Sequence, residues 1–167
     1  MRPAPNVSSA PDTVDRMSAD ASIRERVADL PHPTIEAVAV DLAKQLSECK
    51  VAIVTTAGLR PNGDVELWSP DPRFTVLPGD AHDVQLSHFS PNFDRTGIIE
   101  DLNVVYPIDR LAELADAGVI GSVNERHISF MGAQMDATFS AIINDTAPAA
   151  AKILVDDGVD VVLLTPV

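Results

Sequence analysis

Apolar and polar positions recur with two different periods along this chain, and the changes of period mark its elements. Residues 51–55 form a β-branched run, Val51-Ala-Ile-Val-Thr55, followed by Thr56-Ala57-Gly58, the pattern of a buried parallel strand entering a flexible loop. Upstream, Ile23, Val27 and Leu30 predict a short helix. Behind Pro33, the three- and four-residue spacing of Ile35, Val38, Leu42 and Leu46 predicts a second. Residues 1–20 carry Pro3, Pro5 and Pro11 with no apolar period. They are expected to be a disordered or loosely attached leader, leaving 21–167 as one domain. Between 59 and 78, Pro61, Pro70, Pro72, Pro78 and Asn62-Gly63 limit regular structure to short pieces such as 74–77, while Trp68 and Phe74 favour an ordered excursion.

A short strand over 84–87 then delivers His88. Pro107 opens a helix in which Ile108, Leu111, Leu114 and Ala115 share a face, with Asp109 in its first turn and Gly118 as its stop. A strand is predicted over 127–131 and a short helix over 135–143. Thr146 and Pro148 open a further helix with Ile153, Leu154 and Val155 as its apolar surface, and Gly158 precedes a last strand over 159–164 that runs into Thr165-Pro166-Val167. Strands alternating with helices predict an α/β fold, a mainly parallel, helix-covered sheet of Rossmann-like or flavodoxin-like type, incomplete at its C-terminus.

With 167 residues and 46% hydrophobic content the chain can bury one core. A net charge of -13 disfavours nucleic acid and anionic membrane surfaces as partners, which leaves small molecules and other proteins. The first twenty residues lack a signal-peptide core, and no apolar stretch reaches the roughly 20 residues that cross a bilayer, so a cytoplasmic location is expected. The single cysteine, Cys49, excludes an internal disulfide and any multi-cysteine metal site within one chain, and is expected to be a small side chain at the lip of a strand. Gly-x-Gly-x-x-Gly, Gly-x-x-x-x-Gly-Lys and Gly-x-Ser-x-Gly are absent, and the histidines lack zinc-ligand spacing.

Ligands of open parallel sheets bind beyond the carboxyl ends of strands. That rule selects Thr56 after the first strand, His88 after the 84–87 strand and Thr165 after the last. Asp94, Asp101 and Asn103 follow His88 closely, and such a group can position a substrate ammonium or carboxylate with His88 as acid or base. The simpler reading is a histidine bonded to its own loop with Asx residues making turns. Arg110 sits at a helix start, where the dipole disfavours it, and so is a candidate for an anionic ligand; Glu113, three residues on, is its ordinary partner. His127 fits a satisfied core residue better than a ligand, and His32 and His82 need no role.

Several stretches together resemble the selenoprotein B family of glycine, sarcosine and betaine reductases and the related subunit of D-proline reductase. They are Val51-Ala-Ile-Val-Thr-Thr-Ala-Gly58, Asp71-Pro-Arg-Phe74 with Leu77-Pro78, Leu86-Ser-His88 with Asp94, Asp101-Leu-Asn103 with Pro107-Ile-Asp-Arg-Leu-Ala-Glu-Leu114, Phe130-Met-Gly132 and Gly158-Val-Asp-Val-Val-Leu-Leu-Thr165. The match departs from the family at Arg73, which precedes Phe74 rather than following it. The resemblance implies a subunit that reductively cleaves a C–N bond in an amino acid or derivative. In the family, selenocysteine or cysteine follows the strand that matches 159–165, so the nucleophile is expected just beyond Val167, the chain being cut short at a UGA codon read as a stop. No catalytic residue is then present in this chain, and His88, Asp94, Asp101, Asn103, Arg110, Thr56 and Thr165 are substrate-pocket candidates. The resemblance implies no cofactor in this chain, a carbonyl (pyruvoyl-type) group on a partner subunit, and a thiol-disulfide reductant such as thioredoxin. The alternative is a non-catalytic accessory or small-molecule-binding subunit without the redox loop.

Overall fold

The computed structural model describes residues 41–64, 70–90, 95–134 and 136–167. The leader, the 23–30 helix, Trp68 and Asp94 lie outside the described residues, as does most of the helix after Pro33. The end of that helix is instead a 3₁₀ turn, Leu46–Glu48, with Leu42 and Leu46 exposed. Cys49 follows it, fully buried, its Sγ donating to the Gln45 carbonyl at 3.3 Å.

Strand β1, Lys50–Thr55, is the axis of the fold, because Val51, Ala52 and Ile53 are buried against layers on both faces of the sheet. Chain order then gives β2, Leu59–Pro61; β3, Phe74–Pro78; β4, Val84–Leu86; α1, Thr96–Glu100; α2, Ile108–Asp116; β5, Ser122–Val123; and β6, Arg126–Phe130. Helix α3, Asp136–Ala141, passes through a π-helical turn, Ile142–Thr146, into α4, Ala147–Asp156, and β7 is Val161–Thr165. β1 pairs in parallel with β5, β6 and β7, whereas β3 runs antiparallel to β6. Val51 pairs with both Val123 and Val161, and Val54 with both Ile128 and Leu164, so β5 and β6 share one side of β1 and β7 takes the other. The fold is α/β with a mixed sheet.

The predicted strand that carries His88 exists, but it lies outside this sheet. β4 pairs antiparallel with β2, Leu59 opposite Leu86, in a separate two-stranded ribbon. The turn prolines and Asn62-Gly63 of the 59–78 excursion bring the chain back alongside β2, and an antiparallel partner needs no crossover connection.

One face of the sheet packs Ile53, Leu77 and Tyr106 against Ile98, Ile108 and Leu111 of α1 and α2. The other packs Ala52, Ile128 and Phe130 against Ala150 and Leu154 of α4. Two positions read as apolar helix surface face outward: Leu114 is exposed, and Val155 is 73% exposed. On β7, Leu164 is 67% exposed. Among the described residues, no helix is long and apolar enough to cross a membrane.

Candidate functional site

The carboxyl ends of β1 and β7 meet in a crevice stitched by backbone and threonine bonds. Thr56 N–H donates to the Thr165 carbonyl at 3.2 Å, and Val167 N–H donates to Thr56 Oγ1 at 2.8 Å. Thr165 Oγ1 donates to the Val105 carbonyl at 2.9 Å, tying the loop before α2 to the same end of the sheet.

His88 reaches this crevice from the β2–β4 ribbon through Gly58. The chain leaves β1 at Ala57, which bridges to Met131, and turns at Gly58 with φ 66°, a left-handed conformation that suits glycine. Gly58 N–H donates to the Phe130 carbonyl at 2.8 Å, and Ser87 N–H donates to the Gly58 carbonyl at 3.0 Å. A Cβ on Gly58 would meet Met131 Cε at 3.2 Å and the His88 backbone nitrogen at 3.3 Å, so a side chain there would require these neighbours to give by a few tenths of an ångström.

His88 is buried, with its ring stacked on Phe89. Its Nδ1 accepts the Ser90 N–H at 3.3 Å, which leaves the proton of the neutral ring on Nε2. Burial, and then the nearby Arg95 guanidinium, hold its pKa below the usual histidine value, so the neutral form dominates at pH 7. Arg95 also donates to the His88 carbonyl. On the side of Nε2 lies Gly132: a Cβ there would stand 2.7 Å from His88 Nε2, 2.9 Å from the Thr56 carbonyl oxygen and 3.1 Å from that of Val167. A cavity of about 340 Å³ opens next to this point, lined by Thr56, Met131, Gly132, Gln134, Phe139 and Val167 among others. Its wall is braced from outside, since Gln134 Nε2 donates to the Asp71 and Met131 carbonyls, both at 2.8 Å. Asp71 is in turn gripped by Arg60 and Arg73.

The structure therefore brings His88, Thr56 and Thr165 together at one end of the sheet. Asp101, Asn103 and Arg110 form their own group at the start of α2. Asp101 Oδ1 accepts the Asn103 N–H at 2.9 Å, Asn103 Oδ1 accepts the Asp109 N–H at 3.1 Å, and exposed Arg110 pairs with Glu113 at 2.9 Å. This group touches the crevice through Val105 alone among the bonds described. Asp94 lies outside the described residues. Gly132 escaped the sequence reading as a site residue; its signals are a glycine directly after an apolar strand and its place in the Phe130-Met-Gly132 stretch. Buried His127 serves the sheet instead: its Nδ1 accepts the Ile53 N–H at 3.0 Å, filling the gap where the chain bulges between β5 and β6. Among the described residues, no group of three or more His, Cys, Asp or Glu could hold a metal ion.

Comparison with known proteins gives the chain its relatives. The profile of the glycine/sarcosine/betaine reductase selenoprotein B family matches residues 8–167. D-proline reductase subunit gamma of Acetoanaerobium sticklandii is 35% identical over 127 residues, 74% of this chain and 51% of that protein. Sarcosine reductase complex component B subunit beta of Peptoclostridium acidaminophilum is 29% identical over 144 residues, 82% of this chain and 32% of that protein. Glycine reductase complex component B subunit gamma of the same organism is 30% identical over 146 residues, again 82% and 32%. The chain thus spans from a third to about half the length of these relatives, and no solved structure matches it. With the family profile matched across nearly its whole length, this chain belongs to the glycine/sarcosine/betaine reductase selenoprotein B family.

Proposed function

We propose that this chain is a subunit of a selenol- or thiol-dependent reductase that cleaves a C–N bond in an amino acid or derivative of the glycine, sarcosine, betaine or D-proline type. In this reading the crevice at the ends of β1 and β7 is where the nucleophile works, carried by the segment that follows β7 in the family. The observation that supports it is the convergence of His88 Nε2 with the Thr56 and Val167 carbonyls on one point beside Gly132. A strand end lined by an N–H donor and by backbone groups held in place is a preorganised setting for charge that develops in a displacement. Cleavage forms a bond from carbon to the chalcogen and breaks the C–N bond with its electron pair going to nitrogen. His88 acts as acid in its minor, protonated form, in which Nε2–H passes its proton to the departing nitrogen and the ring returns to its neutral state. The carbon–chalcogen bond breaks when a thiolate of an external dithiol of thioredoxin type attacks the chalcogen, the electron pair going to the carbon, which takes up a proton; the second thiol then displaces the chalcogenolate, and the dithiol leaves as a disulfide. A pyruvoyl-type carbonyl on a partner subunit completes the proposed complex; because that group sits on the partner, no residue of this chain is assigned to it. Completion of the sheet beyond β7 in a parallel, flavodoxin-like manner, and a cytoplasmic location, belong to the same proposal.

The test is a reductase complex assembled around the full-length protein with its partner subunits and a dithiol, assayed for ring opening of D-proline and for release of ammonia or amine from sarcosine, glycine and betaine. Turnover of at least one is expected, and His88→Gln should lower kcat/KM by about 10²-fold or more while the complex still assembles. Full activity in His88→Gln removes the acid role of His88. Binding without turnover of any of the four would replace the reductase reading with that of an accessory, ligand-binding subunit.

A further inference from the structure

Gly132 is buried at the end of β6, and a Cβ there would come within 3.1 Å of three separate polar atoms, 2.7 Å from the nearest, His88 Nε2. Two of the three are backbone carbonyls just past the β1–β7 ladder, where Thr56 N–H bonds to the Thr165 carbonyl and Val167 N–H to Thr56 Oγ1, and only the imidazole belongs to a side chain that can swing away. At its other end His88 is held against Gly58, whose missing side chain leaves space for the His88 backbone nitrogen. The residue after Gly132 is Ala133 with φ 52°, a left-handed conformation that carries strain for a residue other than glycine. The loop thus keeps an unfavourable backbone at the place where it presses Gly132 onto the ring.

From these contacts we infer that Gly132 is a positioning residue for His88: its bare Cα is the surface against which the imidazole rests, and that contact sets the direction in which Nε2 faces the ends of β1 and β7. The Ser90 N–H on Nδ1 and the Arg95 guanidinium on the His88 carbonyl fix the rest of the residue. A side chain at 132 meets the ring first, at 2.7 Å, and the imidazole is the one of the three groups that can rotate out of its way. The displaced ring loses its tautomer bias and its burial together.

This assignment rests on the acid role proposed for His88 only for its catalytic meaning, because its test reads the imidazole without substrate. Histidine-ring NMR on the full 167-residue chain, with His88→Gln to assign the signal, follows the tautomer and titration of His88 in the wild type and in Gly132→Ala. Gly132→Ala should shift the His88 midpoint upward, toward that of an exposed histidine, and abolish its preference for the Nε2–H tautomer, while the His127 signal stays unchanged as a control for the fold. An unchanged His88 signal in a folded Gly132→Ala chain overturns the inference. A double-mutant cycle covers loss of folding: Gly132→Ala should cost less stability in a His88→Ala background than in the wild type, as shown by a smaller drop in melting temperature. Equal drops, or failure of the single and double variants alike to fold, would mean that the carbonyls and not His88 require the glycine, and would also overturn it. Activity retained in His88→Gln while Gly132→Ala still moves the ring would remove the acid role and leave the positioning intact.

Discussion

Protonating His127 would turn its Nδ1 from the acceptor of the Ile53 N–H into a donor facing a donor, inside the sheet and fully buried. Burial accordingly lowers its pKa to about 4, and the Tyr106 ring packed edge-on against it offers no compensating charge. A folded-state pKa below the ordinary histidine value means that the unfolded chain binds the proton first. Stability is therefore complete above about 6.5 and declines as pH falls from there through about 4, by on the order of 3 kcal/mol in all. Denaturant melts at pH 7 and pH 4.5 should differ in that direction. The side-chain bonds from Arg126 and then Asn124 hold Asp157 down to about 2, so its contribution disappears only below the usual carboxylate range, in a separate window. A profile flat between pH 7 and 4.5 would contradict the buried role of His127. The lone histidine at a strand entry was legible as a core residue from its apolar neighbours. Its partner was not, because a bond between Nδ1 and an amide on β1 depends on how β5 and β6 bulge past that strand.

At the scale of elements, α2 shows how a cluster can look like a pocket and act as a cap. Asn103 Oδ1 accepts the Asp109 N–H, one of the orphan donors at the helix start, while its Nδ2 donates to Asp101 and Asp109. Asn103→Ala should then cost about 1 kcal/mol of stability, the usual worth of such a cap. Arg110→Ala, which removes only an exposed pair with Glu113, should change stability by less than about 0.5 kcal/mol. Chemical denaturation of the two variants checks both, and loss of ligand binding in either without loss of stability would restore a pocket role. Helix and strand positions here followed from period and punctuation: Pro107, Asp109 and the apolar spacing located α2, and Pro148 located α4. The placement of β4 did not follow. A three-residue apolar segment carries too little pattern to say which strand it pairs with, and the β2 partner is chosen by the return of the 59–78 excursion.

At the scale of the whole molecule, the sheet among the described residues has its most apolar strand, β7, at an edge. β7 is a Val-Val-Leu-Leu-Thr run of the kind buried on both faces in parallel sheets, yet Leu164 is 67% exposed, and Val162 and the 73% exposed Val155 line an apolar cavity of about 300 Å³ with Val54, Phe130 and Leu154. The 167-residue chain on its own should therefore bind a hydrophobic dye such as ANS in its native state, and Leu164→Lys should reduce that binding without lowering the melting temperature. Absence of dye binding by the folded wild type would contradict the exposed edge. The apolar periods, the proline and glycine punctuation and the family motifs were readable along the chain because each is a relation between residues a few positions apart, where backbone geometry alone decides what repeats. The α/β class and the strand-end location of Thr56 and Thr165 followed from them. Tertiary structure alone decided that His88 arrives from a ribbon outside the main sheet, that Asn103 spends its bonds on a helix start, and that Gly132 presses against the imidazole. Each is a contact between segments far apart in the chain, set by the packing of layers that no local period encodes.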